Sequence, residues 1–366
     1  MADLTSAGQG GISSRFPLRR ILLPLGIGLG FSGFLLYQDI RQSGDEMWRA
    51  LQALARPEER TVLWLILAVA MVLLRDLAYM LQLRLLSERR LSWRAVVEIV
   101  LLWDFFAAVS PSILGGAAVA VFMLTRERIG IGRSTAIVFT TVLFDEIFYL
   151  LMVPLGLWMA GYEAVFRPLQ LIHHPWLTVG MQTAFWSAYG LIAAYVALLG
   201  ASLFVWPQSV NRALRWLFMV PWLKRWRRWG LRTARDLLIT SVALRRRTTG
   251  WWLRIWGVTA LAWLARYGVL NCLLAAFAAG PFGWSEHALA FARQAALFIV
   301  MVLSPTPGSA GVAEAGFALM FADLVAPGLV IPLALLWRML SYYPYLFVGV
   351  PVMSRWLQRV YGTGKG

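Results

Sequence analysis

Two prolines and two glycines fall within eight residues of Ser304-Pro305-Thr306-Pro307-Gly308-Ser309-Ala310-Gly311-Val312-Ala313-Glu314, between apolar runs at 295–303 and 315–321. A continuous helix cannot absorb that density of breakers. At membrane depth a broken backbone is tolerated only where protein buries it or where it lines a cavity. The break has chemical value, because the helix that follows begins with free N–H groups and the positive end of its dipole, a ready site for an anion. Ser110-Pro111-Ser112-Ile113-Leu114-Gly115-Gly116 repeats the device earlier in the chain. If the two breaks meet near the bilayer midplane, they suit the phosphate of a lipid headgroup. The plainer reading is a pair of capping turns in a packed bundle.

Charged side chains inside apolar runs are costly and face a partner or a wet cavity. Arg75, Asp76, Glu98, Asp104, Asp145, Glu146, Arg266, Arg293, Glu314 and Arg338 are the candidates. Glu98 and Arg293 lie near predicted helix ends, where long side chains snorkel to the interface. The others are deeper. For them a structural ion pair and an anionic-lipid path both stand open, and Asp104, Asp145 and Glu146 offer a route for protons. Glu314 falls in the first turn after Gly311, where a carboxylate complements the helix dipole. Arg338, Arg293 or a headgroup amine are its candidate partners. The substrate-binding set is therefore Ser110, Pro111, Gly115 and Gly116 at the first break and Ser304, Pro305, Pro307, Gly308, Gly311 and Glu314 at the second. Arg75, Asp104, Arg266 and Arg338 join it from the spans. No catalytic residue, metal ligand or cofactor is expected. His173, His174 and His287 read as residues of outer loops, Cys272 is the single cysteine, and no nucleophile elbow, P-loop or zinc spacing occurs.

The elements that must hold these residues are membrane helices. The 366 residues are 60% hydrophobic, the mean hydropathy is +0.66, and apolar runs recur at lengths that span a bilayer. The net charge of +16 points to cytoplasmic loops and anionic headgroups rather than to nucleic acid, since no soluble stretch is long enough to present it. Spans are expected at 21–37, 61–82, 133–160, 177–206, 251–279 and 329–353, with helical hairpins at 92–128 and 288–321. The segment 207–250 carries eleven Lys or Arg against Asp236, with Trp216, Trp222, Trp226 and Trp229 interleaved. It reads as a cytoplasmic surface that binds headgroups. Tyr342-Tyr343 and the Trp-rich ends read as interface belts. The expected divisions are a tail at 1–20, a first helix and outer segment at 21–60, repeat unit 1 at 61–160, a connecting helix and basic segment at 161–250, repeat unit 2 at 251–354 and a tail at 355–366. Flanking charge puts both termini in the cytoplasm of a bacterial inner (plasma) membrane.

The breaks are offset by 304 − 110 = 194 residues. Shifting the first unit by that amount carries span 61–82 onto 255–276, arm 92–109 onto 286–303, and span 133–160 onto 327–354. Flanking charges give the two units opposite orientations. The expected fold is thus an all-α polytopic membrane protein with an inverted-topology repeat, about six full spans and two Pro/Gly-broken hairpins. Paired interruptions of this kind mark the binding site of many secondary transporters.

The second break resembles the signature of the lysylphosphatidylglycerol synthase transmembrane-region family, also called flippase-like or UPF0104 proteins, which reads roughly S-P-T-P-G-G-x-G-x-x-E. Ser304, Pro305, Thr306, Pro307, Gly308, Gly311 and Glu314 match, and Ser309 replaces the second glycine. Ser110, Pro111, Ser112, Gly115 and Gly116 are similar to the family's first-half segment, without the acid and Lys that often follow there. Leu336-Trp337-Arg338 is similar to its Arg-bearing last helix. The resemblance covers roughly residues 20–355. It implies movement of an aminoacylated or related phospholipid between leaflets. The synthase domain that follows in the best-known members is not expected here, so the resemblance implies a transporter rather than an enzyme. A membrane-embedded lipid transferase, with Glu314 or Asp104 as base, and a membrane scaffold are the alternatives.

Overall fold

The computed structural model describes residues 30, 37, 58–110, 113–170, 175–217, 231, 235, 238–239, 241–278, 280–302, 304, 306–326 and 328–361. These residues are helical apart from short turns and one isolated bridge, Ala278 to Val325. Expectations for span 21–37, for His173-His174 and for Trp222, Trp226 and Trp229 lie outside them.

Helix α1 (Glu59–Leu86) is followed by α2 (Trp93–Val109), α3 (Ile113–Arg126) and α4 (Ile131–Ala160). Next come α5 (Tyr162–Gln170), α6 (Pro175–Gly200, ending in a π-turn at Ala201–Val205) and α7 (Pro207–Leu217). The second series is α8 (Thr249–Ala276), α9 (Trp284–Val302), α10 (Val312–Phe321), α11 (Val330–Ser341) and α12 (Tyr343–Tyr361). Among the described residues, five stretches are long and apolar enough to cross a membrane: Glu59–Leu86, Ile131–Ala160, Gln182–Gly200, Thr249–Ala276 and Val330–Val360. Leu63, Ile66 and Leu73 on α1 and Leu191 and Leu198 on α6 turn outward, as lipid-facing side chains do.

Local chemistry sets the boundaries. Ser92 caps α2 by accepting the Ala95 N–H at 3.2 Å, and Thr248 caps α8 by accepting that of Trp251 at 3.3 Å. Helix α2 stops where Ser110 turns extended, at φ −87° and ψ 138°, the region favoured before a proline. At the second break Gly308 (φ +58°) and Gly311 (φ +86°) take conformations that a β-carbon opposes. Ser309 also has positive φ, and its hydroxyl donates to the Met301 carbonyl at 2.8 Å, which holds the turn against the end of α9.

The expected span at 329–353 falls within Val330–Val360 and bends at Tyr342, where φ is −133° and ψ −57°. The cause is Pro344, which has no N–H for the Leu340 carbonyl and disfavours helical backbone at Tyr343. The region 161–176, expected as a loop, contains α5, and His287 belongs to the first turn of α9.

Helices α1 and α8 share the most extensive helix contact. Each hairpin also leans on the far half of the chain. Arm α2 packs on α12, and arm α9 packs on α4. One apolar core joins α4, α8, α9, α10 and α11, and a second joins α2, α3 and α12.

Candidate functional site

A cavity of about 770 Å³ lies between the two breaks. Ser110 borders it from the first, and Ser304, Thr306, Gly308 and Ser309 border it from the second. The C-terminal part of α1 and the mid-portions of α4 and α8 add Tyr79, Gln82, Asp145, Glu146, Tyr149, Trp263 and Arg266, α6 adds Leu191 and Tyr195, and Asp104 enters from α2. A smaller cavity of about 220 Å³ adjoins it through Asp104, Arg266, Met301 and Gly308 and reaches Arg75, Arg338 and Tyr345.

Arg266 lies over the Trp263 ring, with its guanidinium carbon 4.5 Å from the centroid. Its Nε is buried without a hydrogen-bond acceptor, and it has no ion-pair partner among the described residues. Asp145 accepts from Trp263 Nε1 at 2.7 Å, so Trp263 both steadies the acid and carries the arginine. Gln82 donates to Thr259 Oγ1 at 2.7 Å and leaves its own carbonyl oxygen unpartnered, as Tyr149 leaves its hydroxyl. A buried polar atom without a partner is costly, so these groups leave hydrogen-bonding capacity at the wall for a polar guest.

The other predicted site residues are held inside the protein. Arg75 grips both oxygens of Asp104 at 2.8 Å each, pairs with Asp76 at 3.2 Å and donates to Tyr345 Oη. The Tyr345 hydroxyl donates to Asp76 at 2.7 Å. Asp104 stays 21% exposed and still edges the cavity. Glu314 and Arg338 are 1% and 3% exposed, with Oε1 and Nε 3.1 Å apart as an ion pair. Glu314 also accepts the Gly311 N–H at 2.7 Å. The anion position at the start of α10 is therefore filled by the chain's own carboxylate. Arg338 donates to the Gly308 carbonyl at 2.9 Å and lies against the Tyr342 ring at 3.7 Å.

Gly116 serves helix contact rather than the cavity: an added β-carbon would come within 2.9 Å of the Trp103 ring. Gly115 lies in α3 and Pro307 in the short 3₁₀ turn Pro307–Ser309, while Pro111 and Pro305 fall outside the described residues. The snorkelling expected of Glu98 and Arg293 does not occur. Arg359 holds Glu98 at 2.6 Å, and Arg293, 1% exposed, holds Asp323 at 2.5 Å. Of the four arginines Arg75, Arg266, Arg293 and Arg338, Arg293 lies elsewhere and the other three border the smaller cavity.

Tyr342, Tyr343 and Tyr345 are buried, which corrects the interface-belt reading. Tyr342 touches both breaks. Its hydroxyl donates to the Ala108 carbonyl at 3.1 Å, and its ring lies where a side chain on Gly308 would go. Sequence reasoning left Tyr79, Gln82, Tyr149 and Trp263 out of the site. The signal was present as polar and aromatic stripes at helical spacing, Arg75-Tyr79-Gln82 on α1 and Thr141-Asp145-Tyr149 on α4.

Residues 21–349 match the family described as the lysylphosphatidylglycerol synthase transmembrane region. A UPF0104 membrane protein of Archaeoglobus fulgidus is 25% identical over 293 residues, which are 78% of this chain and 85% of that protein.

Proposed function

The chain belongs to the lysylphosphatidylglycerol synthase transmembrane-region family, and from that premise we propose that it is a lipid translocase that moves a phospholipid, anionic or aminoacylated, between leaflets without covalent change. The observation that carries this reading is the cavity lined by both breaks, with Arg266 unpaired on one wall and Asp145 and Glu146 on another. Arg266 offers a lipid phosphate a charge-assisted site backed by an aromatic ring. The carboxylates and the open carbonyl of Gln82 offer acceptors to the ammonium or hydroxyl groups of the same headgroup.

An inverted-topology repeat fits this role, since transport sites lie where two such units meet. The reciprocal packing of α2 on α12 and α9 on α4 supports it, because a two-fold relation makes each contact occur twice. We read the protein as an integral component of the cell membrane, with both termini and the basic 207–250 segment in the cytoplasm. Helix α7 supports contact of that segment with anionic headgroups, as Trp206 and Trp216 are exposed beside it.

Reconstitution into liposomes with a leaflet-resolved assay over phosphatidylglycerol, its aminoacylated form and phosphatidylethanolamine tests the proposal. Protein-dependent movement of at least one lipid, lost in Arg266→Gln, is expected, and no movement of any overturns it. Three carboxylates on one cavity, Asp104, Asp145 and Glu146, favour membrane-embedded transferase chemistry as the second reading. Mass spectrometry of the same lipids decides it, because a translocase leaves every lipid mass unchanged.

A further inference from the structure

Two of the charged clusters outside the cavity tie a hairpin to the far half of the chain. The first joins Glu98 on α2, Glu127 just beyond α3 and Arg359 on α12. Arg359 donates to Glu98 Oε2 through Nε at 3.0 Å and Nη2 at 2.6 Å, and to Glu127 Oε2 through Nη1 at 3.1 Å. Arg94 adds a contact to Glu98 at 3.1 Å, and Trp356 Nε1 donates to Glu127 at 3.3 Å. The second cluster joins Arg293 on α9, Asp323 just beyond α10 and the Ala164 carbonyl of α5. Arg293 reaches the Asp323 oxygens at 2.5 and 2.9 Å, the Met320 carbonyl at 2.8 Å and the Ala164 carbonyl at 2.9 and 3.3 Å. The Ala164 carbonyl is free to accept because its helical partner would be the N–H of residue 168, which is Pro168. The Met320 carbonyl belongs to the last turn of α10, where acceptors are left over.

The clusters correspond through the 194-residue offset. Glu98 maps to 98 + 194 = 292, beside Arg293, and Glu127 to 127 + 194 = 321, two residues from Asp323. Arg359 maps back to 359 − 194 = 165, beside Ala164. In both halves the mouth of a hairpin is tied to the closing element of the other half. The clusters also lie at opposite ends of the molecule. Glu127 precedes α4 by four residues and Ala164 follows it by four. The helix between them has 30 residues, a rise of about 45 Å at ~1.5 Å per residue. The cavity lies between, against Phe139 to Tyr149 of α4.

We infer that the two clusters are the gates of one path. Breaking the Arg359 cluster frees the mouth of the α2–α3 hairpin and opens the cavity to that face alone, and breaking the Arg293 cluster opens it to the opposite face alone. The inference rests on the cavity being a path between the faces, and it is read out without any lipid. Full-length Cys272→Ala protein carrying Ala107→Cys, at a position on the cavity wall, is treated with a membrane-impermeant maleimide from each side of sealed vesicles. Arg359→Gln should raise the labelling rate at least about tenfold from the face bearing residue 359, since losing even one of its charge-assisted bonds is worth that much, and leave the other face unchanged. Asp323→Asn should do the reverse. It leaves Arg293 its two carbonyls and an amide oxygen in place of the carboxylate, so it is milder than Arg293→Gln, and thermal unfolding checks that it is folded. Labelling raised equally from both faces, raised from the same face by both variants, or unchanged in folded Asp323→Asn overturns the proposal. Sided labelling together with no lipid movement would keep the gates and remove the translocase reading, whereas lipid movement without sided labelling would do the opposite.

Discussion

Each break has an arginine–carboxylate pair beside it, and the two pairs are built for different work. Arg338 and Glu314 are sealed, with the carboxylate capping α10 and the guanidinium held between the Gly308 carbonyl and the Tyr342 ring. Arg75 and Asp104 form a bidentate pair whose carboxylate still edges the main cavity, and Arg75 also serves Asp76 and Tyr345. The second break, with three positive-φ residues in four positions, needs an internal brace, and Arg338 supplies it. At the first break the acid is left where a guest or water can compete for the arginine. One half-site thus keeps its acid away from both cavities, and the other leaves its acid on the cavity wall. Motif residues of similar type need not share a role.

The largest expected effect that would break this contrast is at the sealed pair. Glu314→Gln or Arg338→Gln should each cost about 3–5 kcal/mol, because either leaves a buried charge uncompensated. The double substitution should recover part of that loss in thermal unfolding. A small effect in both single variants would make the pair no more structural than its counterpart. Next comes Gly308→Ala, which places a β-carbon at φ +58° against Tyr342 and should cost about 1–3 kcal/mol. Gly116→Ala, pressing on Trp103 and Ala107 at ordinary helical backbone angles, should cost less than Gly308→Ala, and the reverse order would argue that the first break is the stiffer. Asp104→Asn should lower stability by about 1–3 kcal/mol through the loss of a charged acceptor and reduce lipid movement further than the stability loss explains. The smallest change in unfolding is expected for Arg266→Gln. With no ion pair to lose and only its ring contact to Trp263 to give up, it should cost no more than about 1 kcal/mol, while lipid movement falls. That split between stability and transport would sharpen the distinction between braces and binding groups.

The architecture was legible because hydropathy and flanking charge are strong signals over 20 residues. Helices α1, α4, α6 and α8 appear near their expected positions, and both breaks fall at Ser110 and Ser304. The bend at Tyr342 was overlooked although Pro344 announces it, since the run remains apolar across the bend. The site was less legible. A charged residue in an apolar run signals a partner or a cavity, but sequence does not say which. Glu314, Arg338, Arg75 and Arg293 found partners separated from them by 24 to 30 residues, whereas Arg266 remained open. Tyr342 was misread because a tyrosine near a helix end fits an interface belt and a buried hydrogen-bond donor equally well.

The interlocked packing of the halves carries a consequence for biogenesis. Gln82 of α1 finds its hydrogen-bond partner in Thr259, 177 residues later, and α2 rests on α12, which is made long after it. Until α8 and α12 have been inserted, α1 and the first hairpin hold polar groups in the bilayer with their closing neighbours still unmade. The nascent first half must therefore wait, shielded by lipid rearrangement or an insertion partner, and its quality control cannot be completed before α12 is in place.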